Sequence, residues 1–83
     1  MRILIQNLPG DVTAEEIEKI FAEHGTTVTA EMAPGLRRTC YVNIEGVNRA
    51  EAEAIAAQFL AHHRHWKGRD IIVDVPIFAQ PSG

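Results

Sequence analysis

The chain has 83 residues, 46% hydrophobic and 23% charged, with a formal net charge of −3. That size accommodates one small two-layer domain with little stability in reserve. A single cysteine excludes an intrachain disulfide framework and a cysteine-rich zinc site, and no apolar run reaches the length of a signal-peptide core or a membrane span, so a soluble, cytoplasmic protein is expected.

Residues 2 to 7 alternate, with Ile3 and Ile5 on one face and Leu4 and Gln6 on the other, which predicts a first strand. Asn7-Leu8-Pro9-Gly10 reads as a turn. Thr13 with Glu16 three residues on is a capping box, and Val12 can staple to Ile17, so a helix begins here. Ile17, Ile20 and Phe21 form its apolar stripe, and Gly25 ends it. Thr26 to Met32 alternates again as a second strand, and Ala33-Pro34-Gly35 turns it back into a third.

The third strand is predicted over residues 37 to 44. Cys40, Val42 and Ile44 fall inward, and Thr39, Tyr41 and Asn43 fall outward. Cys40 is read as a small buried hydrophobe. Asn48 with Glu51 is a second capping box, opening a helix whose core face is Ala52, Ile55, Ala56, Phe59 and Leu60 and which frays around His62 to His65. A fourth strand follows from Asp70 to Val75, with Ile71, Val73 and Val75 inward and Ile72 and Asp74 outward, and Pro76 stops it.

The order is βαββαβ. Right-handed crossovers place strands one and three in the middle of a four-stranded antiparallel sheet, order 4-1-3-2, with both helices on one face. This is an α+β, ferredoxin-like sandwich spanning residues 1–76, followed by a short C-terminal tail, 77–83. The other sheet face is left open. The helices and the turn before the first carry seven acids against two bases, whereas the rest of the chain carries six bases against four acids. A local basic rim is therefore compatible with the acidic total.

Two stretches narrow the reading. Ile3-Leu4-Ile5-Gln6-Asn7-Leu8 resembles the hexamer of the RNA recognition motif family, and Asn7-Leu8-Pro9 matches it closely. Arg37 to Ile44 resembles the family's octamer, K/R-G-F/Y-G/A-F-V-x-F/Y, through Arg37, Tyr41 and Val42. Trp66 to Val73 is similar to the family's approach to its last strand. The resemblance implies an alpha-beta plait that binds single-stranded RNA on the open sheet face, without catalysis and without a cofactor. The family stacks bases on outward rings at three positions, which here hold Leu4, Thr39 and Tyr41. One ring of three remains. At about 1 to 3 kcal/mol per stacked base, losing two predicts weak binding.

On this reading Tyr41 and Leu4 contact a base face, while Gln6, Thr39, Asn43 and Ile72 line the sheet. Arg37, Arg38, Arg69 and Lys67 hold phosphate. Trp66 is read as a packing anchor. His62 and His63 point apart on a helix and no thiol or carboxylate stands at a ligand spacing, so no metal site is expected from the histidines; with Arg64, Lys67 and Arg69 they would form a pH-dependent basic patch. An enzyme is not expected, because no nucleophile stands beside a base and no glycine-rich phosphate loop is present. The runner-up is the same fold kept as a protein-interaction or homodimer-forming domain. It draws on the missing rings, the acidic balance and the apolar Ile77 and Phe78 of the tail.

Overall fold

Alternation and capping produce the elements they predict. The computed structural model describes residues 1–35 and 38–76. Its elements are β1 (Arg2–Gln6), α1 (Ala14–Glu23), β2 (Thr29–Met32), β3 (Cys40–Asn43), α2 (Arg49–His63), β4 (His65–Trp66), β5 (Arg69–Asp70) and β6 (Ile72–Asp74). The tail, 77–83, and Arg37 lie outside the described residues, so the expectations placed on Ile77, Phe78 and Arg37 do too.

Both capping boxes form. The Thr13 hydroxyl accepts from the Glu16 N–H and the Glu16 carboxylate accepts from the Thr13 N–H; Asn48 and Glu51 repeat the exchange for α2. At the other end of α1, Thr26 N–H reaches the Phe21 carbonyl at 2.9 Å and Gly25 N–H reaches Ala22 at 3.0 Å. This closure needs a left-handed residue, and Gly25 supplies it with φ 82.

The main sheet has the order β2-β3-β1-β6, antiparallel throughout. Its fourth member is β6, so the expected 4-1-3-2 arrangement is the one observed. Ile3, Ile5, Cys40 and Val42 share one face and join Ile17 and Phe21 from α1 with Ala56 and Phe59 from α2 in a single buried cluster. Phe21 and Phe59 stack with centroids 5.1 Å apart, tying the two helices together over the sheet. Burying rings of this size contributes about 1.5 to 3 kcal/mol each.

Four expectations change. The second strand is Thr29–Met32 rather than Thr26 to Met32, and the last is Ile72–Asp74 rather than Asp70 to Val75. The third strand is Cys40–Asn43, and the described Arg38 and Thr39 stand outside it, Arg38 with a left-handed φ of 56 that departs from the pleat. The connection after α2 is not a plain loop but a hairpin, β4–β5, with His65 opposite Asp70 and Trp66 opposite Arg69. Lys67 and Gly68 form its two-residue turn with φ 52 and 81, the positive pair that a type I′ turn requires. Among the described residues, no helix is long and apolar enough to cross a membrane.

Candidate functional site

Because side chains alternate, the face of the sheet away from the helices is assembled from every second residue. It carries Thr29 and Glu31 from β2, Tyr41 and Asn43 from β3, Arg2, Leu4 and Gln6 from β1, and Ile72 and Asp74 from β6. No described element packs on it. Register fixes the neighbours. Tyr41 lies opposite Glu31 on one side and Leu4 on the other, and Leu4 lies opposite Asp74, so one row crosses the sheet as Glu31, Tyr41, Leu4, Asp74. Gln6 lies opposite Ile72, which is 52% exposed, and Arg2 lies opposite Asn43.

Tyr41 and Leu4 are half-buried, as are Gln6 and Asn43. The Tyr41 ring is not bare: the Arg2 guanidinium stands over it, 4.8 Å from the centroid, and Arg2 Nε donates to Asn43 Oδ1 at 3.1 Å. A cation over a ring that is only partly buried contributes about 0.5 to 1 kcal/mol. Arg2 was not among the residues singled out from sequence, although its place two residues before Leu4 on an alternating strand puts it on the same face. Glu31 and Asp74 were also missed there, since only the register brings Glu31 beside Tyr41 and Asp74 beside Leu4.

Of the sequence candidates, Leu4, Gln6, Tyr41, Asn43 and Ile72 are brought together on this front. Thr39 is not displayed there. It is 7% exposed, because it precedes the strand in a segment held by the Leu8 N–H on the Arg38 carbonyl at 3.0 Å and the Ala33 N–H on the Thr39 carbonyl at 2.9 Å. Arg38 is exposed beside it.

Lys67 and Arg69 are tied into the scaffold. Lys67 Nζ donates to Asp11 at 2.7 Å, which raises the ammonium pKa and lowers that of the carboxyl. Arg69 donates through Nε to the Asn7 carbonyl at 3.2 Å and through its terminal nitrogen to Asn7 Oδ1. His65 pairs with Asp70. Of the basic patch anticipated here, Lys67 and Arg69 are thus engaged by local partners, while Arg64 is exposed.

His63 turns inward. Its ring stacks on Phe59 at 5.0 Å and meets Trp66 at 5.4 Å, so Trp66 packs against the core instead of standing free. Burial pushes the His63 pKa down. Burial likewise pushes the Cys40 thiol up, which suits an inert core residue. Among the described residues, no group of three or more His, Cys, Asp or Glu is arranged to hold a metal ion.

Residues 3–58 match the family model described as RNA recognition motif. The serine/arginine-rich splicing factor SR34A of Arabidopsis thaliana is 39% identical over 51 residues, which is 61% of this chain and 17% of that protein. The chain thus spans about one-sixth of that relative's length. Among solved structures, the C-terminal RNA recognition motif of hypothetical RNA-binding protein RBM19 is similar in fold, with a TM-score of 0.63 covering 99% of this chain and 84% of that one at 21% identity.

Proposed function

Because the chain belongs to the RNA recognition motif family, which is non-catalytic, we propose that it is a binding module taking single-stranded RNA on the open front of its sheet. The observation that carries this reading is the position of Tyr41, half-buried at the centre of that front with Leu4 beside it and a guanidinium over its ring. A base arriving at Tyr41 displaces the Arg2 head group, exchanging a cation–ring contact for base stacking and releasing a positive charge for the adjoining phosphate. Leu4 and Ile72 extend the apolar floor, and Gln6 and Asn43 offer donors and acceptors to base edges. Arg38 and Arg2 are exposed cations, with Arg37 beside Arg38 in sequence, and in this reading they meet phosphate. Lys67 and Arg69 serve the scaffold in this reading.

Affinity should be modest. One ring stands where three are usual, and Glu31 and Asp74 repel phosphate from the same row. The test is titration with pooled short RNAs at low salt, followed through backbone amide shifts. Movement of β1 and β3 amides at micromolar RNA supports the reading, and silence there at high micromolar RNA overturns it.

A second reading draws on the exposed Ile72 and the two carboxylates of the front: the face docks another polypeptide or a second copy of the chain. Sedimentation across a concentration series separates the two, since RNA binding by a monomer leaves the free protein's mass unchanged.

A further inference from the structure

Glu31 and Asp74 are exposed acids flanking the Tyr41–Leu4 pair on a face read as binding a polyanion. Their charge lowers affinity for any RNA backbone, and that cost falls on every sequence alike. What a carboxylate adds locally is different in kind. It accepts hydrogen bonds and cannot donate them, so it rewards a base edge that carries a donor and penalises one that carries an acceptor.

The register sets where those acceptors meet a base. Glu31 stands one strand from Tyr41, a spacing of about 4.8 Å, and Asp74 stands one strand beyond Leu4 on the opposite side. Three strand spacings, about 14 Å, separate the two acids along the row, so a base on Tyr41 meets Glu31 and a second base over Leu4 meets Asp74. In single-stranded RNA the pairing edge is open to such contacts. We propose that Glu31 and Asp74 make this front select bases presenting an exocyclic amino group, so that cytosine is preferred to uracil. The two pyrimidines have rings of the same size; uracil's one donor, N3–H, is flanked by two carbonyl oxygens that repel a carboxylate, whereas cytosine's position-four amino group offers two N–H donors with only one acceptor beside it. This inference rests on the RNA-binding reading above.

The experiment titrates the whole chain with cytidine and uridine hexamers at fixed low salt, and repeats both titrations with the Glu31→Gln/Asp74→Asn variant. Wild-type protein should bind the cytidine hexamer at least about threefold more tightly. In the variant both affinities rise, because two negative charges leave, and the ratio moves to near unity, because an amide serves either edge. A wild-type ratio below threefold, or one that the variant leaves unchanged, overturns the selectivity while leaving RNA binding intact. If neither hexamer moves the β1 and β3 amides, the RNA-binding reading fails and takes this inference with it.

Discussion

Arg69 grips Asn7 on two sides, through the backbone carbonyl at 3.2 Å and through the side-chain oxygen, while Asn7 Nδ2 donates to the Asp70 carbonyl at 2.8 Å. Asn7 also adopts a left-handed φ of 63, a conformation that asparagine tolerates better than most residues. The exit of β1 is thereby locked to the β4–β5 hairpin. The Asn7 of the hexamer and the Arg69 that precedes the last strand meet across 62 positions of sequence.

Arg69→Ala should therefore act on stability. It leaves the Asn7 oxygens without their donor and costs about 1 to 2 kcal/mol, a fall in Tm of roughly 4 to 16 °C for a domain of this size. Arg69→Lys should recover little, because one ammonium does not reproduce the two-pronged geometry of a guanidinium. Thermal unfolding followed by circular dichroism measures both. A variant as stable as wild type would show that the grip contributes nothing.

On the front, Tyr41→Ala should weaken RNA binding by about 5- to 100-fold, and Tyr41→Phe should retain most of it, since the ring face rather than the hydroxyl supports the base. Arg2→Ala tests the displaced guanidinium. If that charge meets a phosphate in the complex, the slope of log K against log salt should become shallower by about 0.7. Fluorescence anisotropy over a salt series reads both effects.

Glu18 reaches from α1 to the outer edge of the sheet, where its carboxylate accepts the Ala30 N–H of β2 at 2.8 Å. This satisfies an edge donor that would otherwise face water or another chain. Glu18→Ala should speed hydrogen exchange of the Ala30 amide by about tenfold or more, with the β1 amides at the sheet centre changing far less. Equal acceleration at both sites would mean general destabilisation instead of an opened edge.

What was legible in the sequence was whatever a short window determines. Thr13 with Glu16, Asn48 with Glu51, and Gly25 each act within one helical turn, and the alternation of Ile3, Leu4, Ile5 and Gln6 fixes which side chains share a face. The sheet order followed from those elements and the handedness of crossovers. The roles of Lys67 and Arg69 did not, because Asp11 and Asn7 come alongside only when the hairpin folds over the β1–α1 loop, 56 and 62 positions away. The hairpin's own signal, two residues ending in glycine between short flanks, is weak when the turn is Lys-Gly instead of Asn-Gly. Thr39 was misplaced because strict alternation does not anticipate the left-handed Arg38 before it.

The His63 ring gives the fold a dependence on pH whose sign can be worked out. Its Nδ1 is buried without a hydrogen bond of normal geometry, and the ring lies between Phe59 and Trp66. Burial is the main cause holding its pKa below the ordinary 6.5; the neighbouring His24 and His62 add to the lowering, while the Phe59 carbonyl and Glu23 pull the other way. The unfolded chain thus takes up this proton more readily than the folded one. Its contribution to stability is complete above pH of about 6.5 and is lost as the pH falls toward the lower folded value. Tm should drop between pH 7 and pH 5. His63→Phe keeps a ring in the stack and removes the proton site, so the difference between the two profiles reads this residue together with its coupling to His24 and His62. The variant's profile should be flatter over that interval, and an equally steep decline in both proteins would assign the acid sensitivity elsewhere.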